Sequence, residues 1–511
     1  MKNGKTKDGF FIKWLNWLEK VGNALPHPFI LFFYLTTTVI LSTALFSWLG
    51  VSAYHPSTGE TIEVLNLLSS EGIHRIFSSI LSNFTGFAPL GQVLVIMLAV
   101  GLLDRLGLLA NVLKSIVIAV PRKFITPMLI FVSVLSSVAT DAGYVVLIPL
   151  GAALFASMKR HPIAGLAAAF AGVAGGFGAN IIFTPGDSLL GGISEAAAHV
   201  IDPYYTFNII GNWYFMIVST FLLVIVGTFV TEKIVEPRLG VYKGEDNAGN
   251  NDEISKEIPP IEKRAMKWAG FAFLITGALL SLLIVPSWGP LRGEGAIVAS
   301  PFFTNLVVVL FFLFLIPGIV YGRMTKQIQS NNDIAKHFTE TMSSMSGFIT
   351  LAFMASQFVG FFAQSNLGAI LAIAGGNFLQ EIGFTGFGLI VAFMFISAFV
   401  NLFIGSASAQ WLIFAPIFVP MLMQLGYSPE FIQLAYRVGD SITNPISPLL
   451  TYLALIITFA QKYDKKAGMG TLTATMMPYS IFFGLFWGLL VGLWMLLGLP
   501  IGPGAYIFLP Y

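Results

Sequence analysis

Apolar residues run along the chain in blocks of about 20, parted by short clusters of charge and by Gly, Pro and Asn. A helix of that length crosses the roughly 30 Å hydrocarbon core of a bilayer. The blocks predict spans near 27–49, 88–104, 162–200, 208–230, 268–286, 301–321, 340–363, 429–461 and 475–499. Two further apolar stretches, about 124–158 and 387–425, are interrupted midway by small and polar residues, SSVATDAGY (Ser136–Tyr144) and NLFIGSASAQW (Asn401–Trp411). The pattern predicts an all-α polytopic membrane protein.

The flanks of the interrupted stretches set their course. A full crossing changes side, and Lys and Arg gather on the cytoplasmic side. Arg122 and Lys123 precede the first stretch and Lys159 and Arg160 follow it, so both ends are expected inside. Glu381 and Glu430 flank the second with no Lys or Arg near, so it is expected to enter and leave from outside. Nine crossings plus two re-entrant hairpins then place 24 of the 27 Lys and Arg on the cytoplasmic face and only Arg75 and Arg292 outside. The remaining one, Arg437, falls inside a span. This topology has a cytoplasmic amino terminus and a carboxy terminus outside.

Composition narrows the chemistry. With 56% hydrophobic and 10% charged residues, against about 25% charged in soluble domains, an ordinary cytosolic enzyme is excluded. Zero cysteines remove disulfides, thiolate zinc, iron–sulfur clusters and a cysteine nucleophile, and six scattered histidines offer little to a metal. A net charge of +2 gives no reason to expect a nucleic-acid partner. The basic, aromatic start (Lys2, Lys5, Lys7, Lys13, Trp14, Trp17, Lys20) reads as a retained cytoplasmic segment, 1–26, rather than a cleaved signal. One soluble loop is expected, 231–267, with seven basic and eight acidic residues. It would link a first membrane half, 27–230, to a second, 268–511.

The two halves carry a repeat. Shifted by 267 positions, DAGYVVLIPLG (from Asp141) lies on SAQWLIFAPIF (from Ser408). Tyr144 then meets Trp411, Pro149 meets Pro416, Pro162 meets Pro429 and Gly172 meets Gly439. Each copy reads as a hairpin with a Ser-rich break, a short turn, a Pro-led span and a second break: GANIIFTPGDS (Gly178–Ser188) in the first and GDSITNPIS (Gly439–Ser447) in the second. Because one hairpin enters from inside and the other from outside, the copies are expected to be inverted. That is the plan of secondary transporters, whose sites lie at the midplane between broken helices. Exposed breaks are not tolerated in lipid, so all four must face protein or a water-filled cavity.

The breaks hold hydroxyl, amide and carbonyl oxygens, among them Thr140, Asn180, Asn401, Ser408 and Asn444. Such groups either replace the hydration shell of a monovalent cation or merely cap and pack helix ends. Arg437 is costly at membrane depth and should be paired or face a substrate. Asp440, three positions on, shares its helical face, so the two either neutralise each other or divide the work, Arg437 binding a substrate carboxylate through its planar fork and Asp440 coupling a cation or proton. Asp187 and Asp141 are each either helix caps or ion-coupling groups. Trp411 and Tyr144 flank the breaks as packing aromatics or as platforms for a ring. An intramembrane aspartyl protease is disfavoured, since its G-x-G-D signature would need Gly at Arg437 and a Tyr before Asp141.

The motifs VGNALPHP (from Val21), SSVATDAGYVVLIPLGAALF (from Ser136), RHPIAGLAAAFAGVAGGFGAN (from Arg160), Pro185-Gly186-Asp187 and YRVGDSITNPISPLLTY (from Tyr436) resemble the p-aminobenzoyl-glutamate transporter (AbgT) family over about residues 10–500. The resemblance implies a homodimer in the bacterial inner membrane, each protomer with nine transmembrane helices and two re-entrant hairpins. It also implies transport roles for Asp187, Asn401, Ser408, Trp411, Pro429, Arg437, Asp440 and Pro448. The expected activity is ion-coupled transport of p-aminobenzoyl-glutamate, with export of sulfonamide-type antimetabolites as the alternative. The ring common to these ligands would stack on Trp411, and the coupling ion would be sodium or a proton. No other cofactor is expected, and the partners foreseen are an aromatic carboxylate and membrane lipid.

Overall fold

The computed structural model describes residues 26, 28–54, 61–139, 143–242, 258–293 and 300–509. The expected amino-terminal segment, apart from Pro26, residues 243–257 of the expected linker, and Thr140 and Asp141 lie outside the described residues.

Helix α1 (Pro28–Trp48) leads to a small antiparallel ribbon, β1 (Ser52–Tyr54) and β2 (Thr61–Glu63), in which Ala53 pairs with Ile62. Then come α2 (Ser70–Thr85), α3 (Ala88–Arg105) and α4 (Leu108–Ile118). The first interrupted stretch folds as α5 (Ile125–Leu135) and α6 (Ile148–Ser157), with a 3₁₀ turn at Ser136–Ala139 and a wider π-helical turn at Gly143–Leu147. The first break separates α7 (Pro162–Phe170), continued by Ala171–Gly175, from α8 (Pro185–Ala198). Next are α9 (Trp213–Val230), α10 (Pro260–Ser281), α11 (Leu306–Met324), α12 (Asn331–Ser344), α13 (Ser346–Gln364) and α14 (Leu367–Glu381). The second interrupted stretch forms α15 (Gly386–Asn401) and α16 (Ala407–Met423), the second break separates α17 (Pro429–Thr443) from α18 (Leu453–Gln461), and α19 (Met469–Leu497) follows.

Six helical segments among the described residues are long and apolar enough to cross a membrane: Pro28–Trp48, Ser70–Arg105, Trp213–Leu239, Leu306–Met324, Ser346–Gln364 and Met469–Leu497. They overlap six of the nine expected spans. Two of the others are the broken pairs α7/α8 and α17/α18, and the third is α10, whose opening turns carry Glu262, Lys263, Arg264 and Lys267. Helices α2, α4, α12 and α14 were not written in the long apolar blocks. In α2 only one face is apolar, with Ile73, Phe77 and Leu81 exposed at four-residue spacing. Helix α4 is bent by 118° from the segment that follows it, at the point where Pro121 restrains its predecessor.

Packing cuts across the two expected halves. The smaller core joins α3 to α10 and α11, and the larger one gathers both interrupted stretches, both broken helices, α9 and α19. Within the larger core several positions matched between the two copies have like surroundings. Pro162 and Pro429 each open a helix, where a missing N–H costs nothing. Gly172 and Gly439 each lie against the first helix of the matching interrupted stretch: a Cβ on Gly172 would fall 2.5 Å from Cβ of Ser133, and one on Gly439 2.8 Å from Cβ of Ser397. Only glycine permits both approaches.

The turn before α7 is fastened from the side. Arg160 donates to Glu236 at 2.5 Å and 2.9 Å and to Thr126 at 2.8 Å, with its guanidinium 4.0 Å over the Phe155 ring. Beside it His161 caps α7 by accepting from the N–H of Ile163 through Nδ1. Burial pushes the His161 pKa down, against the opposing pull of Glu236 and Asp464, which keeps that nitrogen available as an acceptor.

Candidate functional site

Helix α17 is buried from Pro429 to Ser441, yet it carries Glu430, Gln433, Arg437, Asp440 and Ser441. Glu430, Gln433, Arg437, Ser441 and Asn444 recur every three or four residues and so form one stripe. Buried polar groups need partners, and the first half supplies them along the stripe. Glu430 accepts from Tyr205 Oη at 2.6 Å and from the N–H of Asn208 at 2.9 Å. Gln433 accepts from Asn212 Nδ2 at 2.9 Å. The N–H of Gly178 donates to Ser441 Oγ at 2.8 Å, and Asn444 Nδ2 donates to the carbonyl of Ala174 at 3.3 Å. A Cβ on Gly178 would lie 2.6 Å from Ser441 Oγ and 2.8 Å from the Arg437 carbonyl, so glycine lets the two breaks touch.

Arg437 stands at the centre of the stripe, 6% exposed, and its Nη1 donates to Asp187 Oδ1 at 2.5 Å. The neutralising partner expected from spacing was Asp440; the structure gives Asp187, from the opposite break. The Asp440 carboxylate is instead approached by Tyr436 and Asn444 of its own helix region, while the crossing of the breaks brings α8 up to Arg437. Asp187 also caps α8: its Oδ2 accepts from the N–H and hydroxyl of Thr184, and its own N–H donates back to Thr184 Oγ1. Capping and ion pairing are thus both realised in one carboxylate. Arg437 Nε has no hydrogen-bond partner among the described residues. The guanidinium fork is only partly used.

Asp440 is 1% exposed and its carboxylate has two distant donors, Tyr436 Oη and Asn444 Nδ2, each at 3.5 Å. Beside it Asn401 Nδ2 points at three oxygens: the Asp440 carbonyl at 2.8 Å, Thr443 Oγ1 at 3.0 Å and Asn444 Oδ1 at 2.8 Å. Two amide hydrogens cannot serve three acceptors fully, and Asn401 Oδ1 has no partner among the described residues. Ser447 Oγ donates to the Asn401 carbonyl at 3.3 Å, and Pro448 follows in the same turn. The second break is an oxygen-rich, incompletely satisfied cluster.

Other expected residues make contacts of their own around the two breaks. Asn180 joins the first break to the first interrupted stretch through Ser137 Oγ at 2.5 Å. Ser408, half-buried at the start of α16, contacts Ser406 Oγ at 3.3 Å. Trp411 is fully buried; its ring stacks on Tyr436 at 4.4 Å and its Nε1 donates to Ser194 Oγ at 3.0 Å. Pro429 opens α17 at the end away from Arg437. The repeat partner of Trp411, Tyr144, stacks on Tyr452 at 4.4 Å.

Tyr436, Glu430, Gln433 and Asn212 were not among the expected site residues. The stripe was nonetheless readable: Glu430 and Gln433 precede Arg437 at helical spacing in a span that should otherwise be apolar.

Apolar helices of spanning length, a buried polar seam between broken helices and a buried arginine within it define a polytopic membrane transporter. The description "AbgT putative transporter family" matches residues 13–509, and the chain belongs to that family. It is 38% identical over 496 residues, 97% of each chain, to the p-aminobenzoyl-glutamate transport protein of Escherichia coli (strain K12). Two solved structures are similar: the YdaH transporter of Alcanivorax borkumensis (TM-score 0.88, 43% identity, 94% of this chain and 100% of that one), and MtrF of Neisseria gonorrhoeae (TM-score 0.91, 44% identity, 96% and 100%). The MtrF structure is described as illuminating a class of antimetabolite efflux pumps.

Proposed function

We propose that the protein is an ion-coupled secondary transporter of p-aminobenzoyl-glutamate and related aminobenzoyl compounds across the bacterial inner membrane. The observation that carries this reading is the Arg437–Asp187 pair, buried where two broken helices touch, with the Arg437 Nε unused. A substrate carboxylate competes with Asp187 for the planar guanidinium fork. Displaced from its cation, Asp187 is stabilised by gaining a proton or a monovalent cation, which couples substrate entry to an ion. Asp440 and the oxygens around Asn401 offer a second place for that ion. The relative in Escherichia coli supports the substrate.

In this reading each protomer of a homodimer has nine crossings and two re-entrant hairpins, α5/α6 from the cytoplasm and α15/α16 from outside. The distribution of Lys and Arg supports it. Lys159 and Phe384 flank the two hairpins and are exposed. In this cysteine-free chain, Lys159→Cys is expected to react with an impermeant maleimide only from the cytoplasm, and Phe384→Cys only from outside. Reaction of both from one side would contradict the inverted arrangement.

Proteoliposomes with a sodium or a proton gradient imposed singly test the coupling. Uptake of labelled p-aminobenzoyl-glutamate is expected to rise with one gradient and not with the other. No response to either rejects ion coupling. MtrF favours a second reading, export of sulfonamide-type antimetabolites. It requires sulfonamide transport that p-aminobenzoyl-glutamate does not inhibit.

A further inference from the structure

Between the first break and α11 lies a cavity of about 350 Å³, lined by apolar and aromatic side chains and by one charged residue, Asp187. Its walls come from separate parts of the fold. Leu306 and Leu310 belong to the smaller core, and Ile209 packs against that core, whereas Trp213 and Met216 open α9, which packs in the larger one. Ligand sites favour such boundaries between packed units. Trp213 as a residue is 40% exposed and lines the cavity, and its Nε1 donates to the Ile181 carbonyl at 2.7 Å, which holds the indole in place.

Trp411, in contrast, is 0% exposed and stacked on Tyr436, which leaves no room for a ligand ring on its face in this conformation. Volume separates the parts of the substrate. An apolar cavity of about 150 Å³ holds benzene, so about 350 Å³ admits an aminobenzoyl group. Two ionised carboxylates would find no cation among the lining residues, because Arg437 lies behind Asp187.

We infer that this cavity seats the aryl ring of an aminobenzoyl substrate against Trp213, Met216 and Leu310, with the glutamyl end directed at the Asp187–Arg437 pair; the inference rests on the transport reading above. Ring and carboxylate are then recognised on opposite sides of Asp187. Opening of the ion pair and filling of the cavity become one event. Because Leu306 and Leu310 sit on the other core, ring binding also reports on the separation of the two cores.

The test is photolabelling of the full-length protein in proteoliposomes with 4-azidobenzoyl-glutamate, in which the azide replaces the amine, followed by peptide mass spectrometry. Adducts are expected within 181–187, 209–216 and 306–310, and excess p-aminobenzoyl-glutamate should suppress them. Suppressible adducts at 401–415 instead would move the ring to Trp411 and overturn the inference while leaving the transport reading intact. Uptake of p-aminobenzoyl-glutamate without suppressible adducts in the three segments also overturns it. Absence of both uptake and adducts rejects the transport reading itself, and the inference with it. Leu310→Trp should raise the half-saturation concentration about tenfold, as expected when a fitted apolar contact is replaced by a clash. Leu310→Ala, which only enlarges the space, should admit a naphthoyl analogue that wild type rejects; equal exclusion by both proteins counts against the seat.

Discussion

Arg437→Ala is expected to lower p-aminobenzoyl-glutamate uptake into proteoliposomes roughly 30-fold or more. Truncating one member of a buried, hydrogen-bonded charge pair costs about 2 to 5 kcal/mol, and each 1.4 kcal/mol is a factor of about ten. The same change leaves Asp187, 4% exposed, without its cation. Folded-state stability should therefore fall by about 3 to 5 kcal/mol, readable as a lower midpoint in detergent. Stability and transport can be pulled apart with a second variant. Arg437→Met combined with Asp187→Asn removes both charges and leaves an amide oxygen for the Thr184 N–H, so most of the lost stability should return. Transport should not return, because no fork remains for a carboxylate. Wild-type uptake by Arg437→Ala, or recovery of uptake in the double variant, would remove Arg437 from the binding site.

Asn401→Ala is expected to have the next largest effect. One amide now holds the Asp440 carbonyl, Thr443 Oγ1 and Asn444 Oδ1 together. Without it these buried acceptors lose their shared donor, at a cost of about 1 to 3 kcal/mol for a group left unsatisfied. Asp440, with donors only at 3.5 Å, then has still less to hold it in place. Uptake should fall about fivefold or more, and the remainder should no longer respond to whichever ion gradient drives the wild type. A variant that stays folded and keeps the full gradient response would separate this cluster from coupling.

Much of this architecture can be read from the order of residues. Six spanning segments announce themselves because lipid demands long apolar runs, and the four breaks stand out because lipid forbids them. The cost of a membrane arginine likewise singles out Arg437 before any coordinates exist. Its partner was hidden for a physical reason: Asp440 is near in sequence, whereas Asp187 is brought close only by the crossing of two distant breaks. The burial of Trp411 was equally hidden, since an aromatic beside a hairpin looks the same whether its faces are free or covered by Tyr436. Helices α2 and α14 were missed because a helix with a single apolar face, or one shorter than the bilayer, leaves no block of spanning length.

The Asp187–Arg437 pair also constrains how the protein is made. Ribosomes deliver the chain from its amino end, so Asp187 reaches the membrane 250 residues before the guanidinium that neutralises it. An aspartate held alone at the middle of a bilayer costs about 2.5 to 3.5 kcal/mol. Until α17 arrives, α8 has reason to linger near the headgroups or inside the insertion machinery, with its carboxylate wet or protonated. Final descent of α8 and docking of α17 then belong to a single late step of biogenesis, and damage to either partner would surface first as slow or failed insertion.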